Sequence, residues 1–130
     1  MKYTQKDIVE VNFLLPDGGC KPHPALIVSN DELQVIEGFF YLVLISSQDF
    51  DYSRQYSYPL DNEMIIGHRF EKHSYVKCHI ISGYTERDVV RKLGSIKEKY
   101  FNEIVDKTIE SIFWFCRDDW QQPSFVSSFC

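Results

Sequence analysis

The first eighty residues have the pattern of short β-strands separated by turns. From Val9 to Phe13 apolar and polar residues alternate, which is typical of a strand with one buried face. Residues 25–28 and 39–45 are apolar almost throughout, as in strands buried on both faces. Weaker strand candidates lie at residues 55–58, 64–66 and 74–80. Short connections with few helical signals favour a small β-barrel or a β-sandwich.

The pattern becomes helical after residue 95. Ser95 and Glu98 have the spacing of a capping box, in which each side chain binds the backbone N–H of the other residue. Beyond them, apolar residues recur at intervals of three and four, with charged residues outside that stripe. We therefore predict a helix over residues 96–116, packed against the sheet. Thr85 and Asp88 have the same spacing and indicate a short turn before it.

The length and composition indicate one mainly β domain with a C-terminal α-helix. A chain of 130 residues with 44% apolar residues can bury a core without disulfides or metals. We expect residues 1–120 to form this domain. Residues 121–130 contain a proline and three serines, and we expect them to form a tail.

The charge is unevenly distributed. The net charge is −5, but between residues 67 and 99 Lys and Arg outnumber Asp and Glu by 8 to 4. Because phosphate affinity comes from counterion release, an acidic protein is a poor non-specific binder of long duplexes. The local basic stretch leaves a short nucleic-acid strand or a small anion as the candidate ligand.

Other sequence signals are weak. The four cysteines show no metal-binding spacing, and we expect free thiols. No signal peptide is evident, and the longest uncharged apolar run, residues 38–48, is far short of the ~20 residues that cross a membrane. We expect a cytoplasmic protein without membrane contact. His68, Glu71, His73 and His79 match no known ligand spacing, so we expect no metal and no other cofactor.

Five segments, in this order and spacing, resemble the PemK/MazF-like toxin family of type II toxin–antitoxin systems. The first three are an opening strand at residues 7–13, a Lys-x-His-Pro-Ala-Leu-Ile-Val-Ser loop and strand at residues 21–29, and a Leu-Ile-Ser-Ser strand end at residues 44–47. The last two are Ser-Tyr-Val-Lys-Cys-His at residues 74–79 and Val-Arg-Lys-Leu-Gly-Ser-Ile at residues 90–96. The resemblance runs from about Lys6 to Phe113.

The resemblance implies an SH3-like barrel with a C-terminal helix, usually a homodimer. It also implies sequence-specific, metal-independent cleavage of single-stranded RNA such as mRNA. In that chemistry the ribose 2′-OH attacks the adjacent phosphate, and a cognate antitoxin protein blocks the site. The reaction needs a base, an acid and donors to the phosphate oxygens.

The resemblance also assigns candidate site residues. His23 stands where the family has Arg before Pro-Ala-Leu, so a titratable group replaces a fixed charge. We predict that His23 is the general acid/base and that Ser46 donates to a phosphate oxygen. The remaining candidates are expected to bind the substrate: Lys21, Ser47, Lys77 and His79. In some relatives a later position is basic, and Ser82 occupies it here.

Two other functions are left open by the sequence. The missing Arg, Ser82 and the acidic composition also fit a catalytically inactive SH3-like barrel that binds nucleic acid or a protein partner. A toxin that acts on a protein target is a third, weaker alternative. Three tyrosines between residues 49 and 58 add a further hypothesis, in which their rings stack on unpaired bases.

Overall fold

The structure is a computed structural model that describes residues 2–113. The strands of this part of the chain form one antiparallel sheet. Its strand order is β4-β6-β3-β2-β1-β7-β5. The strands are β1 (Asp7–Leu14), β2 (Cys20–Ile27), β3 (Phe40–Ser46), β4 (Ser57–Leu60), β5 (Ile65–Ile66), β6 (Ser74–Tyr84) and β7 (Val89–Ile96). The α-helices are α1 (Asp31–Glu37) and α2 (Glu98–Phe113). Short 3-10 helices lie at Asp51–Tyr56, Asn62–Met64 and Glu86–Asp88.

The sheet buries apolar side chains on both faces. The α2 face carries one core: Ile8, Leu26, Val43, Ile45, Leu60, Ile65, Val76, Cys78, Ile96, Phe101 and Ile104. The opposite face carries the other: Tyr3, Val9, Val11, Phe13, Ala25, Ile27, Phe40, Leu42 and Leu44. Because successive strand residues point to opposite faces, the Ala25–Ile27 end of β2 and most of β3 are apolar without interruption and supply both cores.

The mainly β fold with a C-terminal helix is confirmed. Each sequence-predicted strand has a counterpart, although β4 begins two residues later than expected. The sequence pattern did not reveal α1 or β7. The 3-10 turn at Glu86–Asp88 carries the capping box of Thr85 and Asp88. None of the described helices is long and apolar enough to cross a membrane.

The predicted start of the C-terminal helix is wrong. Ser95 belongs to β7 and pairs with Asp7 and Ile66, so it cannot cap a helix. The helix begins at Glu98, whose carboxylate accepts a bond of 3.1 Å from Lys6 Nζ. Ladder pairing on both sides of β7 therefore outweighs the local capping signal. The end predicted at residue 116 and the tail at 121–130 lie outside the described residues.

Gly94 tests the close packing of β7. A Cβ at this position would lie 2.5 Å from the Ile66 carbonyl oxygen and 3.0 Å from His68 Cβ. Since backbone cannot easily move away, we expect Gly94→Ala to lower the unfolding free energy by about 2 kcal/mol, measured by urea denaturation. Gly83→Ala is the control, because its Cβ would meet only the Tyr41 ring at 3.5 Å. Equal stability of the two variants would contradict the close approach.

Candidate active site

A groove of about 1040 Å³ opens on the face of the sheet opposite α2. Its walls include the β1–β2 loop at Leu15–Asp17, the segment after β3 and the loop that precedes β6. All six residues that the sequence assigns to the site line this groove: Lys21, His23, Ser46, Ser47, Lys77 and His79. The fold thus brings together side chains from three strands.

Strand alternation explains how β2 and β3 supply their part. Lys21 and His23 precede Ala25 at intervals of two and share its face. Ser46 follows Leu44 in the same way at the end of β3. As the apolar core ends, polar side chains continue the same face, and they form the floor of the groove.

A bulge in β6 supplies the rest. Val43 pairs with Ile81 while Ile45 pairs with Val76, so two residues of β3 span the same distance as five residues of β6. Both His79 and Ile80 line the groove, although neighbours in a regular strand point to opposite faces. The bulge therefore reverses the alternation within β6, so that Lys77 and His79 face the groove while Val76 and Cys78 lie in the α2 core.

His23 lies at the entry to the buried part of β2, opposite Val11 of β1. Its imidazole is partly buried. Burial, and then the positive charge of Lys21, lowers its pKa from the usual 6.5. Both effects disfavour the imidazolium, so the side chain is neutral at pH 7 and able to accept a proton.

Ser46 has its hydroxyl oxygen engaged by the backbone. The Gln48 N–H donates to Ser46 Oγ at 3.1 Å, which fixes the hydroxyl at the strand end. Because the oxygen acts there as an acceptor, its own hydrogen remains available to donate to a ligand. The neighbouring Ser47 is exposed on the same rim of the groove.

Lys77 is the buried cation of the groove, with only 4% of its surface exposed. Its Nζ donates to Ser57 Oγ at 3.1 Å and lies 5.3 Å from the centre of the Tyr75 ring. Burial lowers its pKa from the usual 10.5, and the nearby carboxylate of Asp49 partly opposes this. One hydroxyl does not satisfy three ammonium hydrogens, so this amine is poised for an anion.

His79 packs its ring against Tyr56, with the ring centres 4.7 Å apart. Its Nδ1 is buried and has no hydrogen-bond partner among the described residues. Burial, followed by the charge of Lys77, lowers its pKa from 6.5. His79 is thus a second neutral imidazole beside the buried amine.

Many residues on the rim of the groove are not among those that the sequence predicts for the site. The loop before β6 contributes His68, Arg69, Phe70, Glu71 and Lys72. With these, four Lys or Arg and two Asp or Glu line the groove, which agrees with the excess of basic residues in the second half of the sequence. Among residues 2–113 no His, Cys, Asp and Glu side chains gather in a group suited to a metal ion.

The fold and the sequence relate the chain to a known family. The family model for PemK-like, MazF-like toxins of type II toxin–antitoxin systems matches residues 4–113. The chain belongs to this family. No curated protein matches it at a significant level.

Solved MazF structures share its fold. A MazE–MazF complex from Deinococcus radiodurans has a TM-score of 0.64 at 17% identity, covering 85% of this chain and 95% of that one. The Mycobacterium tuberculosis toxin MazF-mt6 has a TM-score of 0.62 at 14% identity, covering 81% and 94%. An endoribonuclease in complex with its cognate antitoxin, from a mycobacterial species, has a TM-score of 0.57 at 14% identity, covering 84% and 93%.

The buried amine of Lys77 should reduce the stability of this MazF-like fold. Because its pKa is lowered, the unfolded chain binds the proton more tightly and gains relative to the folded one. We expect Lys77→Met to raise the unfolding free energy at pH 7 by about 1 kcal/mol. The advantage should shrink as the pH rises through the lowered pKa of folded Lys77 towards 10.5, where the unfolded chain loses the same proton.

Urea denaturation of both proteins across this pH range measures the effect. Lys72→Met is the control, because Lys72 lies exposed on the rim of the same groove. A loss of stability in Lys77→Met would show instead that the amine makes net favourable contacts in the fold.

Proposed function

We propose that this MazF-like protein is a toxin endoribonuclease that cuts single-stranded RNA, such as mRNA, at specific sequences without a metal ion. One observation carries the proposal. A neutral imidazole, a free hydroxyl donor and a buried amine line one groove in a protein of the MazF family. The endoribonuclease named among its structural neighbours supports the same activity.

His23 is the general base of the proposed reaction. Its neutral imidazole takes the proton of the ribose 2′-OH, and the hydroxyl oxygen attacks the adjacent phosphorus. The bond to the 5′-oxygen then breaks, and that oxygen takes a proton from the imidazolium. A single imidazole can serve both steps because it holds the proton between them. The products are a 2′,3′-cyclic phosphate and a 5′-hydroxyl.

Hydrogen-bond donors stabilise the charge that develops on the phosphate. The Ser46 hydroxyl donates to one non-bridging oxygen, and the Lys77 ammonium neutralises the phosphorane. Lys77 is effective because the fold itself buries it, so binding an anion relieves an existing desolvation penalty.

The remaining predicted residues hold the strand. Lys21 is exposed near His23, where it supplies part of the charge that the missing Arg would carry. Ser47 and His79 lie on the same groove and contact the neighbouring nucleotides.

The protein's partners follow from the same site. MazE–MazF complexes and an antitoxin complex stand among the structural neighbours. We propose that a cognate antitoxin occupies this groove and competes with RNA. We also propose that the protein is a homodimer located in the cytoplasm.

An inactive binding module is the second candidate, and Ser82 favours it. Ser82 pairs with Leu42 and does not line the groove, so nothing at this position replaces the basic residue of some relatives. Such a module would bind RNA or a protein partner without cutting it.

Cleavage of a long mixed-sequence RNA in EDTA decides between these functions. We expect fragments ending in 2′,3′-cyclic phosphate, and at least a hundredfold lower rate for His23→Ala, since the base is removed. His73→Ala is the matched control, because His73 is an exposed histidine outside the groove. RNA that is bound but stays intact with wild-type protein would favour the binding module.

The pH dependence of kcat/KM tests the assignment of the base. The acid limb should lie below pH 6.5, because burial and Lys21 lower the pKa of His23 and only its neutral form accepts the proton. The alkaline limb should lie below pH 10.5, where Lys77 loses its ammonium charge. An acid limb that persists in a residually active His23→Ala would assign the base to another group.

A further inference from the structure

The segment after β3 presents two aromatic rings to solvent. Phe50 and Tyr52 are 46% and 80% exposed, and both line the groove. Their ring centres are 5.5 Å apart and their planes differ by 17°, so the rings are stacked. Single exposed apolar side chains are common, but two exposed aromatic rings stacked at the edge of a groove form a contiguous patch of the kind that marks a binding surface.

An ionic clamp fixes the turn that carries the two rings. Arg54 donates from Nε to Asp49 Oδ2 at 3.1 Å, and its Nη2 lies 2.8 Å from Asp51 Oδ1. The two carboxylates flank Phe50 along the chain, and the same guanidinium holds both. The Ser53 N–H also donates to the Phe50 carbonyl at 3.1 Å. These contacts restrict the backbone of the turn on which the rings stand, which lowers the entropy cost of binding.

We propose that the stacked rings of Phe50 and Tyr52 form a binding site for one unpaired RNA base at the mouth of the groove. The proposal rests on the proposed RNA substrate. Every base has a flat π-face that can extend such a stack, and each stacked base adds substantial affinity.

The charges around the turn favour a base over a phosphate at this point. Asp49 and Asp51, which flank Phe50 along the chain, bring two carboxylates to this turn against the single guanidinium of Arg54, and Asp51 is largely exposed. A phosphate is repelled here and attracted to the basic side chains elsewhere in the groove. The backbone of a bound strand thus lies along the lysines while one base turns towards the rings.

The test measures binding with a substrate that cannot be cut. The probes are short 2′-O-methyl RNAs, in which the attacking hydroxyl is blocked, and a matched series in which each RNA lacks one base. We expect wild-type protein to lose about tenfold in affinity when one particular base is missing. In Tyr52→Ala the complete RNA should bind about tenfold more weakly, and removal of the same base should have no further effect.

Two variants control for the fold and for the hydroxyl. Tyr52→Phe keeps the ring and should bind as wild type does. Tyr41→Ala removes an exposed ring, 41% exposed as against 46% for Phe50, that lies outside the groove, and it should also leave affinity unchanged. Phe50→Ala should weaken binding as Tyr52→Ala does, because the stack loses its inner ring.

The outcomes separate this subsite from the proposed function. If wild-type protein binds the complete RNA and both alanine variants bind it equally well, the base site is overturned while the RNA substrate stands. The rings would then be a docking surface for a protein segment. If wild-type protein binds none of the RNAs, both proposals are overturned.

Discussion

The shift in register between β3 and β6 is the constraint on which the site depends. Regular pairing on both sides of the shift holds β6 in place, so the extra residues must bend the strand rather than slip along it. The bend lets Val76 and Cys78 remain in the α2 core while Lys77 and His79 face the groove. The cores on either side of the sheet thus fix which face of the sheet these two polar side chains occupy.

Desolvation gives these side chains their chemistry. Burial disfavours the charged forms of His23, Lys77 and His79, and lowers the pKa of each. The groove therefore presents neutral imidazoles together with a buried ammonium group, Lys77, that makes one hydrogen bond to Ser57. This combination suits proton transfer next to a bound anion. This burial lowers the stability of the folded chain. Binding of an anionic ligand or an acidic partner would restore the lost stability. Tight binding by RNA or by an antitoxin needs no large charge on the protein.

The sequence carries strong signals for this fold where burial is simple. Apolar runs in β2 and β3 reflect burial on two faces, and the order of the family segments gave the six candidate residues that meet in the groove. The sequence does not predict the structure correctly where pairing between distant strands determines the conformation. Ser95 has a helix-capping neighbour but is fixed in β7 by ladders on both sides. The reversal at His79 depends on the register of β3, and neither the bend nor the clamp of Arg54 leaves a local periodic signal.

His23 stands where the family resemblance implies an arginine, and on the proposed function this changes how the groove holds its ligand. A neutral imidazole adds nothing to phosphate attraction at pH 7, and the whole chain carries a net charge of −5. Few phosphates can therefore be neutralised, and the electrostatic share of the affinity is small. Binding energy must come from contacts that do not depend on charge, and the described surface offers the stacked rings of Phe50 and Tyr52 for this purpose. On the proposed function, the neutral histidine and the exposed rings therefore complement each other: contacts with a base position the strand, and the imidazole transfers the proton.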